Sequence, residues 1–263
     1  QLTKVCPVVT SCDIEGSHKV RSPIDAAGAI AAAADVLIVW SVSADILARV
    51  KRPGLTVAGV SHGCHDWWMG AAAPLVDRWA AVDPVAVAPI PATSEKVKII
   101  PNGIDVERCK SSLTQQEARR RLGLPPDGKV VGYVGRLSPE KRIAEIAASA
   151  AHLPSGWRVL IVGDGREADT AVGEWVYRRP ATEAEGYCLA AVEALAAGVP
   201  LAATRVGVVE QIANEVEIIP QPAKPGDVAA ACVRAESRGI SPGLAAWVTE
   251  QSAAVMASRW AAW

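Results

Sequence analysis

The sequence predicts an α/β protein with parallel β-sheets in two domains, and three features of the chain lead to this prediction. Short runs rich in Val, Ile and Leu recur, each followed by a turn and an Ala-rich helical stretch, a rhythm typical of repeated βαβ units. Most runs are apolar on both faces, as buried parallel strands are. A polar stretch at residues 107–116 predicts domains of residues 1–108 and 109–263.

The predicted elements follow from these runs and from the residues that bound them. Thr114 has the position of a helix N-cap, Gly123 that of a C-cap, and Gly198 with Pro200 ends an Ala-rich helix. The predicted strands are residues 5–10, 36–40, 56–60, 79–82, 98–100, 129–134, 158–162, 201–204 and 217–219. The predicted helices are residues 24–34, 115–122, 140–152, 187–197 and 227–237, with one long helix at 244–263.

Composition and charge exclude several classes of protein. Half of the residues are apolar and 21% are charged, which is typical of globular proteins. The 27 basic residues nearly balance 28 acidic ones, so no overall field attracts nucleic acid. The apolar stretch at residues 26–40 is too short to span a bilayer, and no secretory leader is recognisable. We therefore expect a cytoplasmic protein without an integral membrane segment.

The six cysteines are scattered without a Cys-x-x-Cys pair. This spacing argues against a zinc ribbon, a thioredoxin-like centre or a disulfide scaffold. We expect the cysteines to be reduced and structural.

A basic loop follows the predicted strand at residues 129–134. Gly135 allows close approach to the backbone, while Arg136 and Lys141 can reach one anion at the carboxyl end of a parallel strand, where open α/β sheets bind ligands. Arg offers a fork that matches phosphate oxygens and Lys a mobile charge, so the pair suits a diphosphate. An exposed basic turn is the alternative.

A second motif runs from Glu185 through Gly186, Tyr187 and Cys188 to Glu193. Gly186 opens a predicted helix whose free backbone N–H groups favour a phosphate. Glu193 lies about two turns into this otherwise apolar helix, where its carboxylate needs a partner such as a sugar diol. A solvent-facing Glu on an amphipathic helix is the alternative.

A polar cluster follows the strand at residues 56–60. His62 is either an active-site loop residue or a structural one. Together with Cys64, His65 and Asp66 it also suggests a metal site or a Cys nucleophile. Adjacent ligands at such tight spacing rarely converge on one ion, so we predict no metal site.

Residues 163–168 fit the dinucleotide-binding fingerprint G-x-G-x-x-A after a predicted strand. The acids Glu183 and Glu185 lie at roughly the expected distance beyond it. Arg166 and Glu167 would then lie in the phosphate loop, and no clear second strand carries the acid. An NAD-dependent oxidoreductase therefore remains the less favoured alternative.

Four landmarks occur in one order along the chain, and together they resemble the retaining glycosyltransferases called family 4. They are the segment at residues 99–105, the loop at 134–141, the strand and turn at 160–165, and the paired Glu185 and Glu193. The resemblance covers the chain from about Val36 onward. It implies a GT-B fold, in which two Rossmann-like domains with parallel sheets face a cleft.

The resemblance also implies a function and its residues. The expected reaction transfers a sugar from a UDP- or GDP-linked donor to an acceptor hydroxyl, with retention, without a metal and without a further cofactor. The acceptor, whether sugar, lipid or small molecule, remains unidentified, and it would bind the first domain. Glu185 and His62 are the expected catalytic residues. The expected donor-binding residues are Gly135, Arg136, Lys141, Gly186, Tyr187, Cys188 and Glu193.

The sequence departs from this family at three places. No Gly-rich turn precedes Val36, so we expect the first domain to be incomplete. The chain between Gly165 and Glu185 is shorter than in family members, which affects the expected nucleobase pocket. Cys188 replaces a common Gly and Tyr187 a common Phe. These departures leave open a second hypothesis, a shortened non-catalytic remnant that binds a nucleotide or a partner protein.

Overall fold

The computed structural model describes residues 32, 34–63, 68–91, 97–167, 176–177 and 187–263. The chain divides into two compact units, the first ending at Ile100 and the second beginning at Pro101. This division precedes the boundary that we predicted after residue 108. The predicted strand at residues 5–10 and most of the predicted helix at 24–34 lie outside the described residues.

The first unit contains a parallel four-stranded sheet in the order β1-β2-β3-β4. Its register pairs Val36 with Thr56, Ala58 with Arg78 and Trp79 with Val97. Each of these strands agrees with its predicted position to within one residue. The elements are β1 (Val36–Val39), α1 (Ala44–Val50), β2 (Thr56–Ser61), α2 (Met69–Ala72), β3 (Arg78–Ala81) and β4 (Val97–Ile99), with 3-10 turns at Ala73–Leu75 and Pro84–Val87.

Two tryptophans form the centre of the first unit's core. Trp79 is 2% exposed, and its ring centroid lies 5.3 Å from that of Trp68. A Cβ at Gly59 would lie 2.6 Å from the Trp79 ring, so only glycine at this position lets the indole cross β2. Asp77 fixes the start of β3 because its carboxylate pairs with Lys51 and accepts a bond of 2.7 Å from the Val57 amide.

The second unit contains two separate parallel sheets, β5-β6-β7 and β8-β9. The strands are β5 (Lys129–Val134), β6 (Trp157–Val162), β7 (Val176–Tyr177), β8 (Ala202–Ala203) and β9 (Glu217–Ile218). The helices are α3 (Val106–Cys109), α4 (Gln115–Arg121), α5 (Ile143–Ala148), α6 (Leu189–Ala196), α7 (Pro225–Arg238), α8 (Pro242–Glu250) and α9 (Ala253–Ala261), with 3-10 turns at Pro139–Lys141, Ser149–His152 and Gly207–Ile212.

The core of the second unit lies around α6 and α8. Leu195 of α6 packs with Leu244 and Val248 of α8 and with Val209 and Ile212. Glu217 of β9 ties α7 to this half, since it accepts bonds from Arg234 at 2.8 Å and Arg238 at 2.7 Å. These Arg side chains, that of Arg234 first, hold the pKa of Glu217 below its usual value.

A cavity of about 460 Å³ lies where the two sheets of the second unit approach each other. Residues of the outer edge of β5, among them Val131 and Gly132, form one side of it, and Leu201 and Ala202 at β8 form another. A doubly wound sheet continues outward from both sides of its first strand. In the second unit the described strands instead leave a gap beside β5, and this gap is the cavity between β5 and β8.

Two predicted helices are wrong in their extent. The helix predicted at residues 244–263 is two helices, α8 and α9, because the backbone between them pairs with Ile104. Ile104 donates to the Gln251 carbonyl, and the Ala253 amide donates to Ile104, each at 2.8 Å. The helix predicted at 140–152 begins as α5 at Ile143, since Arg142 has a φ of 53°. Within the described ranges, no helix is long and apolar enough to cross a bilayer.

Candidate functional site

The loop after β5 is held by the loop after β6. The Gly135 amide donates to the Val162 carbonyl at 3.0 Å, and the Leu137 amide donates to the Asp164 carbonyl at 2.8 Å. The Tyr133 hydroxyl donates to the Arg136 carbonyl at 2.8 Å. These bonds fix the backbone on both sides of Arg136, so the position of its guanidinium group is set by the fold.

The Arg136 side chain is largely buried, at 19% exposure, and its Nε–H has no hydrogen-bond partner among the described residues. The carboxylate of Glu140 forms a loose ion pair with it, since Oε1 lies 3.7 Å from an Arg136 Nη, which is too far for a hydrogen bond. A guanidinium carries five donors in a planar fork. A buried donor without a partner is costly, so this group is poised for an anion.

Lys141 lies on the same loop as Arg136, and it makes no ion pair with a carboxylate of the described residues. Its neighbour Glu140 accepts a bond of 2.6 Å from the Ser138 hydroxyl. That bond is the main reason why the pKa of Glu140 is lowered. A bond from the Glu140 amide and the positive charges of Arg136 and Lys141 lower it further. Arg136 and Lys141 therefore form no hydrogen bond to a carboxylate of the described residues. The carboxylate beside them, that of Glu140, bonds to Ser138.

The glycines of the dinucleotide-like fingerprint are required by this loop contact. A Cβ at Gly163 would lie 1.8 Å from the Gly135 carbonyl oxygen, and one at Gly165 would lie 2.2 Å from the Leu137 carbonyl oxygen. Backbone packing thus accounts for both glycines without a bound dinucleotide. The two loops in contact follow β5 and β6, which explains why the fingerprint comes directly after a strand.

Helix α6 begins after a residue in the left-handed conformation. Cys188 has φ 65° and ψ 57° and occupies the N-cap position, so α6 starts at Leu189, two residues later than predicted. The left-handed region costs about 1–2 kcal/mol for a residue with a Cβ. Cys188 therefore stands at a position whose backbone favours the glycine that the resemblance leads us to expect.

This geometry predicts that glycine at position 188 is more stable than alanine, which is the reverse of their order inside a helix. Cys188→Gly is expected to be more stable than Cys188→Ala by about 1 kcal/mol, because both lack the sulfur and only Ala keeps the Cβ. Chemical denaturation of the two variants measures the difference. Ala194→Gly, inside α6, is the control and should lose about 1 kcal/mol. A more stable Ala at 188 would rule out the left-handed backbone.

Tyr187 is a structural contact of the second unit. Its side chain is 2% exposed, and its hydroxyl donates to Oε1 of Gln251 at 3.0 Å. The backbone of Gln251 in turn pairs with Ile104. A Cβ at Gly103 would lie 2.6 Å from the Ala253 backbone, so the segment before α3 is packed on the C-terminal helices. The predicted role of the Tyr187 side chain in donor binding has no support from this position.

Glu193 is exposed on the part of α6 that faces α3. It makes no ion pair or hydrogen bond with the described residues, and its charge contributes, after burial, to the raised pKa of Cys109. The carboxylate is therefore available to a ligand, as a ribose-binding Glu would be. Its exposure also fits the alternative of a solvent-facing Glu, and the prediction stays open.

His62 lies in the first unit, at the carboxyl end of β2. Its imidazole packs against Trp40, which follows β1, with ring centroids 4.7 Å apart and planes inclined at 46°. Burial lowers the pKa of His62 below its usual value, so the ring is neutral at pH 7. Sequence reasoning missed Trp40, although an indole at the end of a predicted strand was a visible signal.

The predicted site residues thus form three described groups. Arg136 and Lys141 share the β5 loop with Gly135; Tyr187, Cys188 and Glu193 share α6 and its start; and His62 lies in the first unit. Glu185 and Gly186, and the neighbours of His62 at positions 64–66, lie outside the described residues. Their predicted roles stay predictions.

Solved structures superpose on most of this chain. HepE of Anabaena, crystallised with UDP, superposes with a TM-score of 0.70 at 18% identity, covering 90% of this chain and 80% of that chain. AviGT4, a glycosyltransferase of avilamycin A biosynthesis, superposes with a TM-score of 0.58 at 16% identity, covering 94% of this chain and 78% of that chain. These similarities show the fold, and the predicted α/β GT-B class is confirmed.

Curated relatives are glycosyltransferases as well. The teichuronic acid biosynthesis glycosyltransferase TuaC of Bacillus subtilis is 34% identical over 134 residues, or 43% of this chain and 34% of that protein. The GDP-mannose-dependent alpha-mannosyltransferase of Mycobacterium tuberculosis is 35% identical over 127 residues, or 40% of this chain and 32% of that protein. This chain is therefore similar in sequence to glycosyltransferases over about two fifths of its length.

The sequence similarity to these glycosyltransferases covers only part of their length. The aligned segment spans about a third of the curated relatives, 34% of TuaC and 32% of the mannosyltransferase. No protein-family model matches the chain. The activity of the whole relatives therefore comes to this chain only as a proposal.

Proposed function

We propose that the chain transfers a sugar from a nucleotide-sugar donor to an acceptor hydroxyl, with retention of configuration and without a metal ion. The observation that carries the proposal is the Arg136 side chain, which is 19% exposed and whose Nε–H has no hydrogen-bond partner among the described residues. A diphosphate would use its planar fork, and Lys141 on the same loop would neutralise a second phosphate oxygen.

In this proposal the basic loop stabilises the leaving nucleoside diphosphate. Negative charge grows on the diphosphate as its bond to the sugar breaks, and fixed cations lower the energy of that state most. Because hydrogen bonds to the β6 loop hold the backbone around Arg136, little reorganisation is needed. Two side-chain cations at this position would do the work that a divalent metal does in other transferases, which supports a metal-independent reaction.

The donor is expected to be UDP- or GDP-linked. HepE was solved with UDP, and the mycobacterial relative is named for its dependence on GDP-mannose. Glu193 would bind the ribose, and Glu185, whose role rests on the sequence, would orient the donor sugar. The acceptor would bind the first unit.

Calorimetry of UDP, GDP and ADP in the presence of EDTA tests the proposal. We expect one nucleotide to bind and the same affinity when Mg²⁺ replaces the chelator. The matching donor sugar is then given to the protein, and NMR of the released or transferred sugar reads its anomeric configuration. Retention is expected.

Two outcomes would contradict the proposal in different ways. If a folded protein binds none of the three nucleotides, no donor site exists, and a remnant that binds a partner protein is the better account. If a nucleotide binds and its donor sugar is neither transferred nor hydrolysed, the chain is a nucleotide-binding remnant.

A further inference from the structure

Trp40 is the large exposed apolar side chain nearest to a sequence-predicted site residue of the first unit. It is 56% exposed and directly follows β1. Because β1 and β2 are parallel neighbours, their carboxyl ends meet at one edge of the sheet, where open α/β sheets bind ligands. Ser41, the next residue, has a φ of 54°. Backbone strain of this kind persists where the surrounding structure holds it, and it is concentrated at functional sites.

The His62 imidazole completes a mixed apolar and polar surface with the indole. The two ring centroids are 4.7 Å apart, and His62 is partly buried against this neighbour. Within the described residues, no hydrogen bond involves either imidazole nitrogen. A neutral imidazole can donate from one nitrogen and accept at the other, and burial favours this neutral form by lowering the His62 pKa.

We propose that Trp40 and His62 form a binding site for a pyranose ring of the acceptor. The sugar would stack its C–H face on the indole and would hydrogen-bond a rim hydroxyl to the imidazole. The inference rests on the proposed function, which it deepens by naming a sugar-containing acceptor. Pyranoses suit this surface because each has an apolar face bordered by hydroxyl groups, and Trp40 with His62 offers the complementary pair.

A protein surface is the competing occupant, since Val36 and Ile38 are also exposed, at 55% and 51%. Alternation along β1 places these two side chains and Trp40 on one face of the strand. Two features favour the sugar. Trp40 lies past the last residue of β1, at the carboxyl edge of the sheet, and it contacts an imidazole that makes no hydrogen bond with the described residues. Neither feature is needed for docking along an apolar strand.

Saturation-transfer NMR with methyl glycosides of glucose, galactose, mannose and N-acetylglucosamine, at millimolar concentration, tests the site. At least one glycoside is expected to receive saturation at its ring C–H protons, while glycerol, which has no ring, receives none. Trp40→Ala should weaken that binding by about tenfold or more, the size of effect seen when an aromatic stacking partner is removed. Trp40→Phe should retain part of it.

Matched variants separate the explanations. Ile38→Ala removes apolar surface from the same strand face, and Trp260→Ala removes an indole from an aromatic pair of the second unit; both are expected to bind the glycoside as the wild type does. Circular dichroism checks that each variant is folded. Equal loss in Ile38→Ala and Trp40→Ala would indicate an extended apolar docking face and would overturn the inference.

UDP and GDP binding, measured on the same wild-type sample, separates this inference from the proposed function. If a nucleotide binds but no glycoside does, or if Trp40→Ala binds the glycoside unchanged, the acceptor site is wrong and the transferase proposal stands. If a glycoside binds through Trp40 but neither nucleotide binds, the sugar site is supported and the transferase proposal fails.

Discussion

Arg136→Ala is expected to weaken binding of the nucleoside diphosphate by between about tenfold and about a hundredfold, the range for hydrogen bonds to a charged group. In the wild type the Arg136 side chain is largely buried and its Nε–H has no hydrogen-bond partner among the described residues, so binding satisfies a donor that the protein leaves unused. The variant removes that gain without breaking a side-chain hydrogen bond to any described residue. Calorimetry of both proteins with UDP and GDP measures the difference.

Two further variants show whether the effect of Arg136→Ala depends on the position of the charge and on the planar guanidinium. Arg158→Ala makes the same charge change near the start of β6, where the side chain donates to the neighbouring Trp157 carbonyl; its affinity should match the wild type. Arg136→Lys keeps the charge and loses the planar fork, so an intermediate affinity is expected. Equal weakening in Arg136→Ala and Arg158→Ala would reduce the effect to long-range charge, and no weakening in Arg136→Ala would remove the diphosphate site from this loop.

Gly163→Ala is expected to destabilise the second unit by about 3 kcal/mol or more, at or beyond the upper end of the overpacking range. The added Cβ would lie 1.8 Å from the Gly135 carbonyl oxygen, and a backbone atom cannot rotate out of the way as a side chain can. The loop before Arg136 must move, and the hydrogen bond from Gly135 to Val162 is lost with it. Urea denaturation reads the stability, and calorimetry reads the accompanying loss of nucleotide affinity.

Gly132→Ala is the matched control for this prediction. Gly132 lies in β5, three residues before Gly135, and a Cβ there would meet nothing within 4 Å. Its stability should stay within about 1 kcal/mol of the wild type, since glycine has no packing advantage inside a strand. Similar losses in Gly132→Ala and Gly163→Ala would mean that the contact between the β5 and β6 loops does not hold as described.

Local patterns were sufficient to predict the basic loop and eight of the described strands, whereas β7 was not predicted. Runs such as residues 129–134 are apolar and short, and they are bounded by turn residues, so the positions of β5 and β6 follow from neighbours in sequence. The same holds for Arg136 and Lys141, whose spacing after a strand indicates an anion site. The pattern could not show that Nε of Arg136 lacks a hydrogen-bond partner among the described residues, because this depends on the bond of Glu140 to Ser138.

The errors arose where distant segments decide the backbone. The break between α8 and α9 depends on Ile104, more than a hundred residues earlier in the chain, and no periodicity within residues 244–263 records that contact. The burial of Tyr187 depends on Gln251 in the same way. The glycines at 163 and 165 had a dinucleotide-like spacing because a neighbouring loop, and not a ligand, requires them.

The gap beside β5 divides the second unit into two parts that can unfold locally and separately. Among the strands that the structure describes, no backbone ladder joins the β5-β6-β7 sheet to the β8-β9 pair, which has two residues in each strand. Local unfolding proceeds in units that share few contacts with the rest. The β8-β9 half, held mainly by α7 and by the contacts of α6 with α8, can therefore exchange its amide hydrogens through its own fluctuations, while the ladder beneath the basic loop stays protected.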